Sequence, residues 1–561
     1  MKRVLCILLA LLMLTMAACG NPDQSAESTP TTGPTEPTVL PSDPPAADCS
    51  HYYRIANTVA STCIEAGYTE YRCESCQHSY RVEMALTEHS FTDATCLTPK
   101  YCTTCFTPEG EALGHDFQGY LCSRCGASAE EFVVPEGGYD GSPVTIVFYH
   151  SMGYYMRSIL DDAIVEFNRL YPNITVDYQS WGDYNGLFNQ VNSEIAIDTP
   201  PNLAYCYPDH VAKYNKANAV QPLDSFIESP YGFTDAQIAD FIPAFYNEGK
   251  AFGDGCMYSL PISKSTEVMY YNKTFFDTHG LSVPTTWEEM AVVCERIKEI
   301  DPYSIPLGYG SDSNWFITMA AQYGSDYTSA TGENFRFDNE TNHQFVKMLR
   351  EWYQNGWITT ESIYGGYTST LFTGMSSYGD VVNTRCYMCI GSSGGATYQQ
   401  PNKINGRFEF EVGITTLPQV NPDQPKVISQ GPSICIFKND DVQEVMASWL
   451  FAKFLATNVE FQSHISMQNG YAPVIRSVMD NPNYTYYLNL ASTANLQAYA
   501  AKVALEQADA YFVTPAFDGS AVARSQIGLL LQKCMTELTS NVDAFISKAF
   551  SDAVEECRKS S

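Results

Sequence analysis

The segment Leu260–Lys273, LPISKSTEVMYYNK, is the part of the chain from which the architecture is most readily inferred. Its apolar residues predict one strand over 257–261 and a second over 267–272, with a short Ser/Lys/Thr break between them and a helix that starts at Lys273. Tyr270 and Tyr271 are adjacent, so their rings face opposite sides of the second strand. One ring can therefore pack in a core while the other lines a cleft.

The composition describes a large, acidic protein. The 561 residues suggest three or four domains, and 45% of them are hydrophobic, which is enough for sizeable cores. Lys and Arg total 32 against 63 Asp and Glu, which gives a net charge of −31. This balance argues against nucleic acid as a partner and against electrostatic adhesion to anionic lipid, because both need basic surfaces.

The N-terminus has the features of a secretory signal. Two basic residues precede the apolar run 4–16, which is too short to span a bilayer as a helix. Residues 16–19, MAAC, resemble a lipobox, in which cleavage leaves the cysteine as a lipidated N-terminus. We therefore expect residues 1–18 to be a signal peptide and Cys19 to anchor the protein to the outer face of the cell membrane. The alternative is a plain signal peptide cleaved nearby.

A linker follows the expected anchor. Gly20–Asp48 contains seven Pro and eight Ser or Thr, and no Lys, Arg, Phe, Tyr or Trp. Such a composition cannot bury enough apolar surface to fold. We predict that residues 19–48 form the lipid anchor and a disordered stalk, which would reach about 90 Å at about 3.1 Å per residue.

Residues 49–127 form a Cys/His-rich module with an imperfect repeat. The sequence ALTEHSF at 85–91 matches ALGHDF at 112–117 with one gap, and HYY at 51–53 resembles a third copy. Each copy leads to a C-x2-C pair, which on a tight turn aims two thiolates at one point. These pairs are Cys73/Cys76, Cys102/Cys105 and Cys122/Cys125.

The spacing in this module predicts structural zinc in zinc-ribbon-like repeats, because zinc prefers four nitrogen or sulfur ligands in a tetrahedron. The predicted ligand sets are His89, Cys96, Cys102 and Cys105; His51, Cys63, Cys73 and Cys76; and His115, Cys122 and Cys125, with Cys49 as the one cysteine that remains. Disulfides are the alternative, because the module is expected outside the cytoplasm. Its nine cysteines are an odd number, which disfavours complete pairing. We expect His78 to lie at the surface.

The rest of the chain, after a Gly/Pro break at 135–143, alternates predicted strands with predicted helices. Such alternation favours an α/β fold with a largely parallel sheet. Strands are expected at 144–149, 174–178 and 202–206, and helices at 158–170 and 184–195. In the first of these helices, apolar residues recur at a spacing of three or four.

This same part, from Pro143 to about Cys557, resembles family 1 of the extracellular solute-binding proteins, the receptors of sugar ABC transporters. The run YYNKTFF at 270–276, followed by Gly280 and by PTTWEE at 284–289, matches a long ordered signature of that family. Shorter matches lie at 167–176, 372–374, 391–394, 442–456 and 469–474. Two departures are Asn202, where the family has Asp, and the sequence MSS at 375–377, which replaces a basic residue and alanines.

The resemblance implies a type II, periplasmic-binding-protein-like fold over residues 143–561. Two α/β lobes joined by crossover strands would close on a small solute, and no bond of the solute would be broken. It also implies a sugar or oligosaccharide as the ligand and the permease of an ABC importer as the partner.

Candidate ligand-binding residues lie in the turns after the predicted strands, because ligands of open α/β sheets sit beyond the carboxyl ends of the strands. Sugars need rings against their apolar faces and polar groups for their hydroxyls. We predict stacking by Trp181, Trp315 and Tyr207 and hydroxyl binding by Asp183 and Asp209. The other predicted ligand-binding residues are Tyr258, Ser263, Tyr270, Ser393 and Tyr471. Four further tryptophans, at 287, 352, 357 and 449, lie in helical patterns and are expected in the core.

Enzyme chemistry is not expected. The sequence contains no P-loop, G-x-S-x-G, H-E-x-x-H or dinucleotide fingerprint, so we predict no catalytic residues. A glycosidase would need only two carboxylates and is one alternative. The others are a receptor of the same fold for a polyamine, a peptide or a metal, and a surface adhesion protein that acts through the Cys/His module.

Overall fold

The computed structural model describes residues 39–41, 49–50, 52–96, 98–114, 117–118, 121–122, 124–125, 132–374 and 384–560. These residues belong to two compact units. The first contains the described residues up to 93 together with 100–110, and the second contains 94–99 and the described residues from 111 onward. The predicted signal peptide, Cys19 and most of the predicted linker lie outside the described residues.

The first unit is built on a small antiparallel sheet of order β1-β4-β3-β2 and a separate β5-β6 hairpin. Its strands are β1 (Val39–Pro41), β2 (Tyr53–Val59), β3 (Gly67–Cys73), β4 (Ser79–Met84), β5 (Lys100–Tyr101) and β6 (Pro108–Glu109). Strand β1 lies within the segment predicted to be disordered, but its three residues pair with β4. Its proline is compatible with this pairing because β1 is an edge strand.

The second unit alternates strands and helices, as the sequence predicts. Its strands are β7 (Phe117–Gln118), β8 (Leu121–Cys122), β9 (Val144–His150), β10 (Ile174–Ser180), β11 (Leu203–Cys206), β12 (Leu260–Pro261), β13 (Ser265–Asn272), β14 (Leu307–Tyr309), β15 (Ile358–Thr360), β16 (Met388–Ser392), β17 (Lys403–Ile404), β18 (Arg407–Phe408), β19 (Val412–Thr415), β20 (Val427–Gln430), β21 (Ser433–Ile436) and β22 (Tyr511–Phe512). Its helices are α1 (Tyr154–Leu170), α2 (Tyr184–Ile195), α3 (Pro208–Lys216), α4 (Asp224–Glu228), α5 (Asp235–Asp240), α6 (Pro243–Glu248), α7 (Lys273–His279), α8 (Trp287–Ile300), α9 (Asp312–Gln322), α10 (Glu340–Gln354), α11 (Glu361–Tyr364), α12 (Thr368–Thr373), α13 (Val442–Thr457), α14 (Val459–Asn469), α15 (Pro482–Asn489), α16 (Leu496–Glu506), α17 (Ser520–Thr536) and α18 (Val542–Ser560).

Two mixed sheets define two lobes within this unit. The sheet of the first lobe has the order β10-β9-β11-β21-β12, and that of the second has the order β15-β14-β16-β13-β20-β22, with β19 also paired to β13. Strand β11 is parallel to β9 but antiparallel to β21, and β16 is parallel to β14 but antiparallel to β13. The prediction of a largely parallel sheet is therefore correct for only part of each sheet. The first sheet is parallel from β10 to β11, and the second is parallel from β15 to β16 and again between β20 and β22.

The segment 260–273 forms the predicted strand–break–strand–helix unit with one difference. Strand β12 contains only two residues, whereas β13 begins two residues earlier than predicted. Helix α7 begins at Lys273 as predicted, because the Asn272 side chain accepts a hydrogen bond from the Phe275 N–H at 2.9 Å. It ends at Gly280, which has the left-handed conformation that often terminates helices.

Large aromatic residues fill the cores of both lobes. In the first lobe the ring centroids of Phe167 and Phe451 are 5.1 Å apart, and Phe148 lies 5.9 Å from Phe451. The tryptophans predicted to be core residues are confirmed, since those at 287, 352 and 449 are buried and that at 357 is half-buried. These cores fix the two sheets on which the functional residues are carried.

A buried ion pair lies where the chain crosses between the lobes. Lys264, between β12 and β13, is fully buried, and its Nζ donates to the Glu248 carboxylate at the end of α6. It also donates to the Gly431 carbonyl oxygen at 2.9 Å and the Ser433 hydroxyl at 3.0 Å, which belong to the second crossover, between β20 and β21. Gly431 has φ +99°, and a Cβ there would lie 2.4 Å from the Ser263 carbonyl oxygen. The two crossovers therefore approach more closely than any residue with a side chain allows.

The Lys264–Glu248 pair should be essential for stability. We expect Lys264→Met to lower the free energy of unfolding by about 3–5 kcal/mol, because the variant leaves the buried Glu248 carboxylate without its cation. Urea denaturation at pH 7 measures this change. The matched control is Lys548→Met, which removes an exposed partner of Asp552 and should cost less than about 1 kcal/mol. Equal, small losses in both variants would contradict the role given to the buried pair.

Candidate ligand-binding site

Two adjoining cavities form a cleft in the second unit. Cavity A, of about 310 Å³, is lined from both lobes, and cavity B, of about 650 Å³, is lined by residues of the second lobe. Ser311, Asn314 and Gln430 line both cavities. We call the two cavities together the cleft, and these three polar side chains mark the place where its two parts meet.

The ends of strands and the first turns of helices supply the lining of cavity A. In the first lobe Tyr207 and Asp209 lie where β11 leads into α3. In the second lobe Ser311 directly follows Gly310 after β14, and its hydroxyl caps α9 by accepting from the Asn314 N–H at 3.3 Å. This is the position beyond the carboxyl ends of strands where ligands of α/β proteins bind.

A group of hydrogen-bonded side chains lies beneath the meeting point of the cavities. Arg524 Nη1 donates to Asn314 Oδ1 at 2.6 Å, and the Tyr309 hydroxyl donates to Glu267 Oε2 at 2.5 Å. Burial raises the pKa of Glu267 to about 7. Burial likewise raises the pKa of Glu361, which lines cavity B, to about 7. Near neutral pH these two carboxyl groups can therefore both donate and accept hydrogen bonds.

Buried polar atoms at the cleft lack protein partners among the described residues. They are Thr328 Oγ1 and Ser429 Oγ in cavity A, and Gln399 Oε1 and Gln400 Nε2 in cavity B. A buried polar group that makes no hydrogen bond costs about 1–3 kcal/mol. The residues that carry these atoms line the two cavities.

Tyrosine rings provide the apolar faces of the cleft. Tyr207 and Tyr327 line cavity A, and the exposed rings of Tyr367 and Tyr398 line cavity B. The Tyr184 ring lies 4.9 Å from that of Tyr207, centroid to centroid, and burial raises the pKa of both phenols. These phenols therefore stay neutral and act as hydrogen-bonding groups at the edge of an apolar surface.

The structure brings some of the predicted ligand-binding residues to the cleft. Tyr207 and Asp209 line cavity A. Tyr471 is not a lining residue of either cavity; it packs against the second lobe, where its ring lies 2.7 Å from the position that a Cβ on Gly394 would occupy. Gly394 thus allows a close approach that a larger residue would block.

Three other predicted aromatic contacts lie in the protein interior. Trp315 is fully buried and stacks on Tyr309 with a centroid distance of 4.5 Å, because it lies on the inward face of α9. Tyr258 donates to Asp254 at 2.8 Å, and Tyr270 is fully buried and donates to the Ser392 carbonyl oxygen at 2.9 Å. None of the three lines cavity A or cavity B.

The remaining predicted residues make local contacts. Trp181 is half-buried against Tyr149, with ring centroids 5.3 Å apart. Asp183 caps α2 by accepting from the Gly186 N–H at 2.8 Å. Ser263 is buried at the crossover, and the Ser393 hydroxyl accepts from the Thr266 N–H at 3.4 Å.

The three residues at the centre of the cleft are not among the predicted ligand-binding residues. Ser311, Asn314 and Gln430 are polar residues at the end of a strand or in the first turn after it. That position is the sequence feature from which their place in the cleft could have been predicted. The predicted stacking residue in this segment is Trp315, one residue beyond Asn314. Tyr367 follows neither a predicted strand nor a family motif, whereas Tyr398 lies four residues after the family match at 391–394 and was not among the predicted residues.

The Cys/His module also differs from the predicted ligand sets. One cluster consists of Cys63, His89, Cys102 and Cys105, so Cys63 takes the place predicted for Cys96. A second cluster brings Cys49, which was predicted for the third set, together with Cys73 and Cys76. Of the other predicted ligands, His51, His115 and the Cys122 side chain lie outside the described residues. Cys125 lies within them but belongs to neither cluster. His78 is half-buried and contacts the Tyr53 hydroxyl through Nδ1 at 2.8 Å.

The fold and its cleft define a class of protein. Two α/β lobes joined by crossovers, with a polar cavity lined from both, are the architecture of a receptor that encloses a small solute. The bacterial extracellular solute-binding protein family matches residues 150–460, which is more than half of the chain. The chain belongs to this family, as its sequence motifs suggest, and it is a binding protein of an ABC transporter system and not an enzyme.

Known relatives and solved structures agree with this assignment. The sn-glycerol-3-phosphate-binding periplasmic protein UgpB of Shigella flexneri is 24% identical over 362 residues, which cover 60% of this chain and 75% of UgpB. The structure of the cyclic alpha-maltosyl-1,6-maltose binding protein from Arthrobacter globiformis superimposes with a TM-score of 0.59 at 17% identity, covering 75% of this chain and 100% of that protein. UgpB from Mycobacterium tuberculosis, solved with glycerophosphocholine, gives 0.58 at 16% identity and covers 74% and 98%. The predicted type II two-lobe fold is thereby confirmed.

The family also places the protein outside the cytoplasm. No helix in the described part of the chain combines the length and the hydropathy that crossing a bilayer requires.

The pKa of Glu267 leads to a pH-dependent stability. Because its folded pKa of about 7 lies above its ordinary value of 4.5, the folded state binds the proton more tightly. The stabilisation from this proton is complete below about pH 4.5 and is lost as the pH rises through 7. Glu267→Gln has no carboxyl group to ionise at this position, so its free energy of unfolding should not fall for this reason as the pH rises. We expect its free energy of unfolding, relative to that of the natural protein, to rise by up to about 3 kcal/mol between pH 4.5 and 8.

Urea denaturation across this pH range measures the effect. The matched control is Glu295→Gln, on the exposed face of α8, which should give a pH profile parallel to that of the natural protein. A parallel profile for Glu267→Gln as well would show that Glu267 ionises normally in the folded state.

Proposed function

We propose that the protein binds an uncharged oligosaccharide in the cleft and delivers it to the permease of an ABC importer. The observation that carries the proposal is the lining of the cleft, in which hydroxyl, amide and carboxyl groups alternate with tyrosine rings. Sugars present hydroxyl groups around their edges and apolar C–H faces, and this combination of side chains complements both.

The relatives bind ligands of two classes. One solved relative is named for binding a cyclic maltosyl-maltose, and UgpB proteins are named for sn-glycerol-3-phosphate or were solved with glycerophosphocholine. The first ligand is an uncharged carbohydrate, whereas the other two carry a phosphate. Charge in the cleft is therefore the property that distinguishes these classes for this chain.

The charge of the lining favours the uncharged class. Asp209, Glu248, Glu267 and Glu361 line the cleft, and among its described lining residues Arg524 is the only Lys or Arg. The guanidinium of Arg524 is already hydrogen-bonded to Asn314. A phosphate would thus meet more carboxyl groups than cations, which costs Coulomb energy.

A polyamine is the alternative that the carboxyl groups would suit. Two features reduce the negative charge available to it. The Glu248 carboxylate is paired with Lys264, and burial holds the pKa of Glu267 and of Glu361 near neutrality. We therefore favour the carbohydrate and make the polyamine an outcome of the test.

The size of the cleft supports a ligand with more than one sugar unit. Cavities of about 310 and 650 Å³ adjoin at three shared polar residues, and small-molecule sites fill roughly 300–1,000 Å³. An oligosaccharide could place one unit in each cavity, with Ser311, Asn314 and Gln430 at the junction.

The lobes also contact each other across the cleft. Lys213 and Lys216 on α3 of the first lobe pair with Asp518, which precedes α17 of the second lobe, at 3.6 Å for Lys213. Such a contact would favour the closed state of a receptor that works by bringing its lobes together around the solute.

A ligand panel tests the proposal directly. We expect maltooligosaccharides or other neutral oligosaccharides to raise the melting temperature, since a ligand that binds only the folded state stabilises it, and glycerol 3-phosphate and spermidine to leave it unchanged. Gln430→Ala should weaken binding of the active oligosaccharide about tenfold, because it removes hydrogen bonding at the junction of the cavities. Differential scanning fluorimetry and calorimetric titration measure the two effects.

The matched control for Gln430→Ala is Gln424→Ala, in the exposed turn before β20, which should bind as the natural protein does. A shift with spermidine but with no oligosaccharide would replace the carbohydrate with a cation, and a shift with glycerol 3-phosphate alone would assign the ligand of the UgpB relatives.

We further propose that Cys19 carries a lipid that holds the receptor at the membrane beside its permease. The support is the lipobox-like sequence at 16–19 and the extracytoplasmic family. A single acyl chain binds a membrane only reversibly, so stable anchoring would use the multiple chains of a lipoprotein. We expect Cys19→Ala to move the protein from the membrane fraction to the soluble fraction after a high-salt wash, while Cys6→Ala in the signal peptide does not. Retention of Cys19→Ala on membranes would contradict lipid anchoring.

A further inference from the structure

The Cys/His module contains a four-residue cluster that the solute-binding function does not use. Cys63, His89, Cys102 and Cys105 all belong to the first unit, and each offers a ligand atom within 4.8 Å of the other three. Cys63 and Cys102 are buried, whereas His89 is exposed. The cluster therefore lies near the surface, with two of its sulfurs shielded from solvent.

The spacing of the ligand atoms fits a metal tetrahedron. The Sγ atoms of Cys63 and Cys102 are 3.6 Å apart, and Cys105 Sγ lies 3.2 Å from His89 Nδ1. Zinc–sulfur bonds of about 2.3 Å place two sulfurs of a tetrahedron about 3.8 Å apart. A disulfide would need a sulfur–sulfur distance of about 2.05 Å. The observed distance is close to the first value and far from the second.

The same turn presents the two cysteines of the first two C-x2-C pairs of the module, Cys73/Cys76 and Cys102/Cys105. The N–H four residues after the first cysteine donates to that cysteine's carbonyl oxygen, at 3.0 Å from Gln77 to Cys73 and at 2.9 Å from Phe106 to Cys102. Both Gln77 and Phe106 have the left-handed backbone conformation, with φ of 62° and 58°. That conformation costs about 1 kcal/mol or more for a residue with a side chain. The same costly conformation occurs at the same position in both pairs. This repetition indicates that the turn is required to bring the two thiols of each pair together.

We propose that Cys63, His89, Cys102 and Cys105 form a structural zinc site, in which a cysteine from one repeat completes the ligand set of the next. Three sulfurs and one imidazole nitrogen are a ligand set that closed structural zinc sites use. The four residues fill all four coordination positions and leave none for a substrate, so the ion would have a structural role as a cross-link.

Zinc at this place would tie together distant parts of a small unit. Cys63 lies between β2 and β3, and Cys102 lies between β5 and β6. The described part of the unit has two small sheets, and so small a fold commonly needs a metal or a disulfide for stability. A link over a long loop removes conformational freedom mainly from the unfolded chain.

Metal analysis of the full mature chain, purified without chelators, tests the proposal. We expect Cys63→Ser and Cys102→Ser each to lower the zinc content by one equivalent per chain. The double variant should lose that same single equivalent, because the two residues share one ion. His89→Gln should lose zinc as well, whereas His279→Gln, an exposed histidine on α7, keeps the full content.

Thiol alkylation of the natural chain gives a second measurement that does not depend on variants that fold. Cys63, Cys102 and Cys105 should resist alkylation until a chelator is added and should then react together. Three outcomes would overturn the proposal: reaction only after a reductant, which indicates disulfides; a double variant that loses two equivalents; or loss of the shared equivalent with Cys96→Ser in place of Cys63→Ser. The test is independent of the proposed sugar ligand, since the module lies outside the match at residues 150–460.

Discussion

The buried Lys264–Glu248 ion pair is the interaction on which the two-lobe architecture depends. Lys264 lies in one crossover and contacts a carbonyl oxygen and a hydroxyl of the other, while Glu248 belongs to the first lobe. A charge without solvent needs both a counter-charge and hydrogen bonds, and here the surrounding groups provide them. The crossovers also approach closely at Gly431, and Glu248 of the ion pair lines cavity A, so the contact between the crossovers adjoins the cleft.

The chemistry of the cleft follows from that arrangement. Because β13 follows the first crossover, Glu267 is carried into the second sheet, where Tyr309 donates to it. Helix α9 begins just beyond Tyr309 and presents Ser311 and Asn314 to both cavities. The result is a surface that offers many hydrogen-bonding groups but little fixed positive charge, which is suited to a guest with several hydroxyl groups and no phosphate.

Much of the fold could be predicted from the sequence, and less of the site. The strands and helices between 144 and 206 were placed to within a few residues, because their apolar spacing has the period of the element. Trp315 shows where such reasoning fails. Its position after a strand suggested a stacking ring, yet α9 turns it toward Tyr309 in the core and leaves the smaller Asn314 on the cleft. Which face of a helix meets a cavity depends on its packing partners, which are distant in the chain.

The sequence by itself determined the alternation of strands and helices, the family, and the presence of paired cysteines suited to a metal. Those features are local or ordered along the chain, so they can be recognised without coordinates. Only the tertiary structure decided which residues meet: Tyr207 with Tyr327 across cavity A, and Cys63, in place of the nearer Cys96, with Cys102. Such neighbours are brought together by strand pairing and by the crossing of the chain between lobes, and no spacing in the sequence records them.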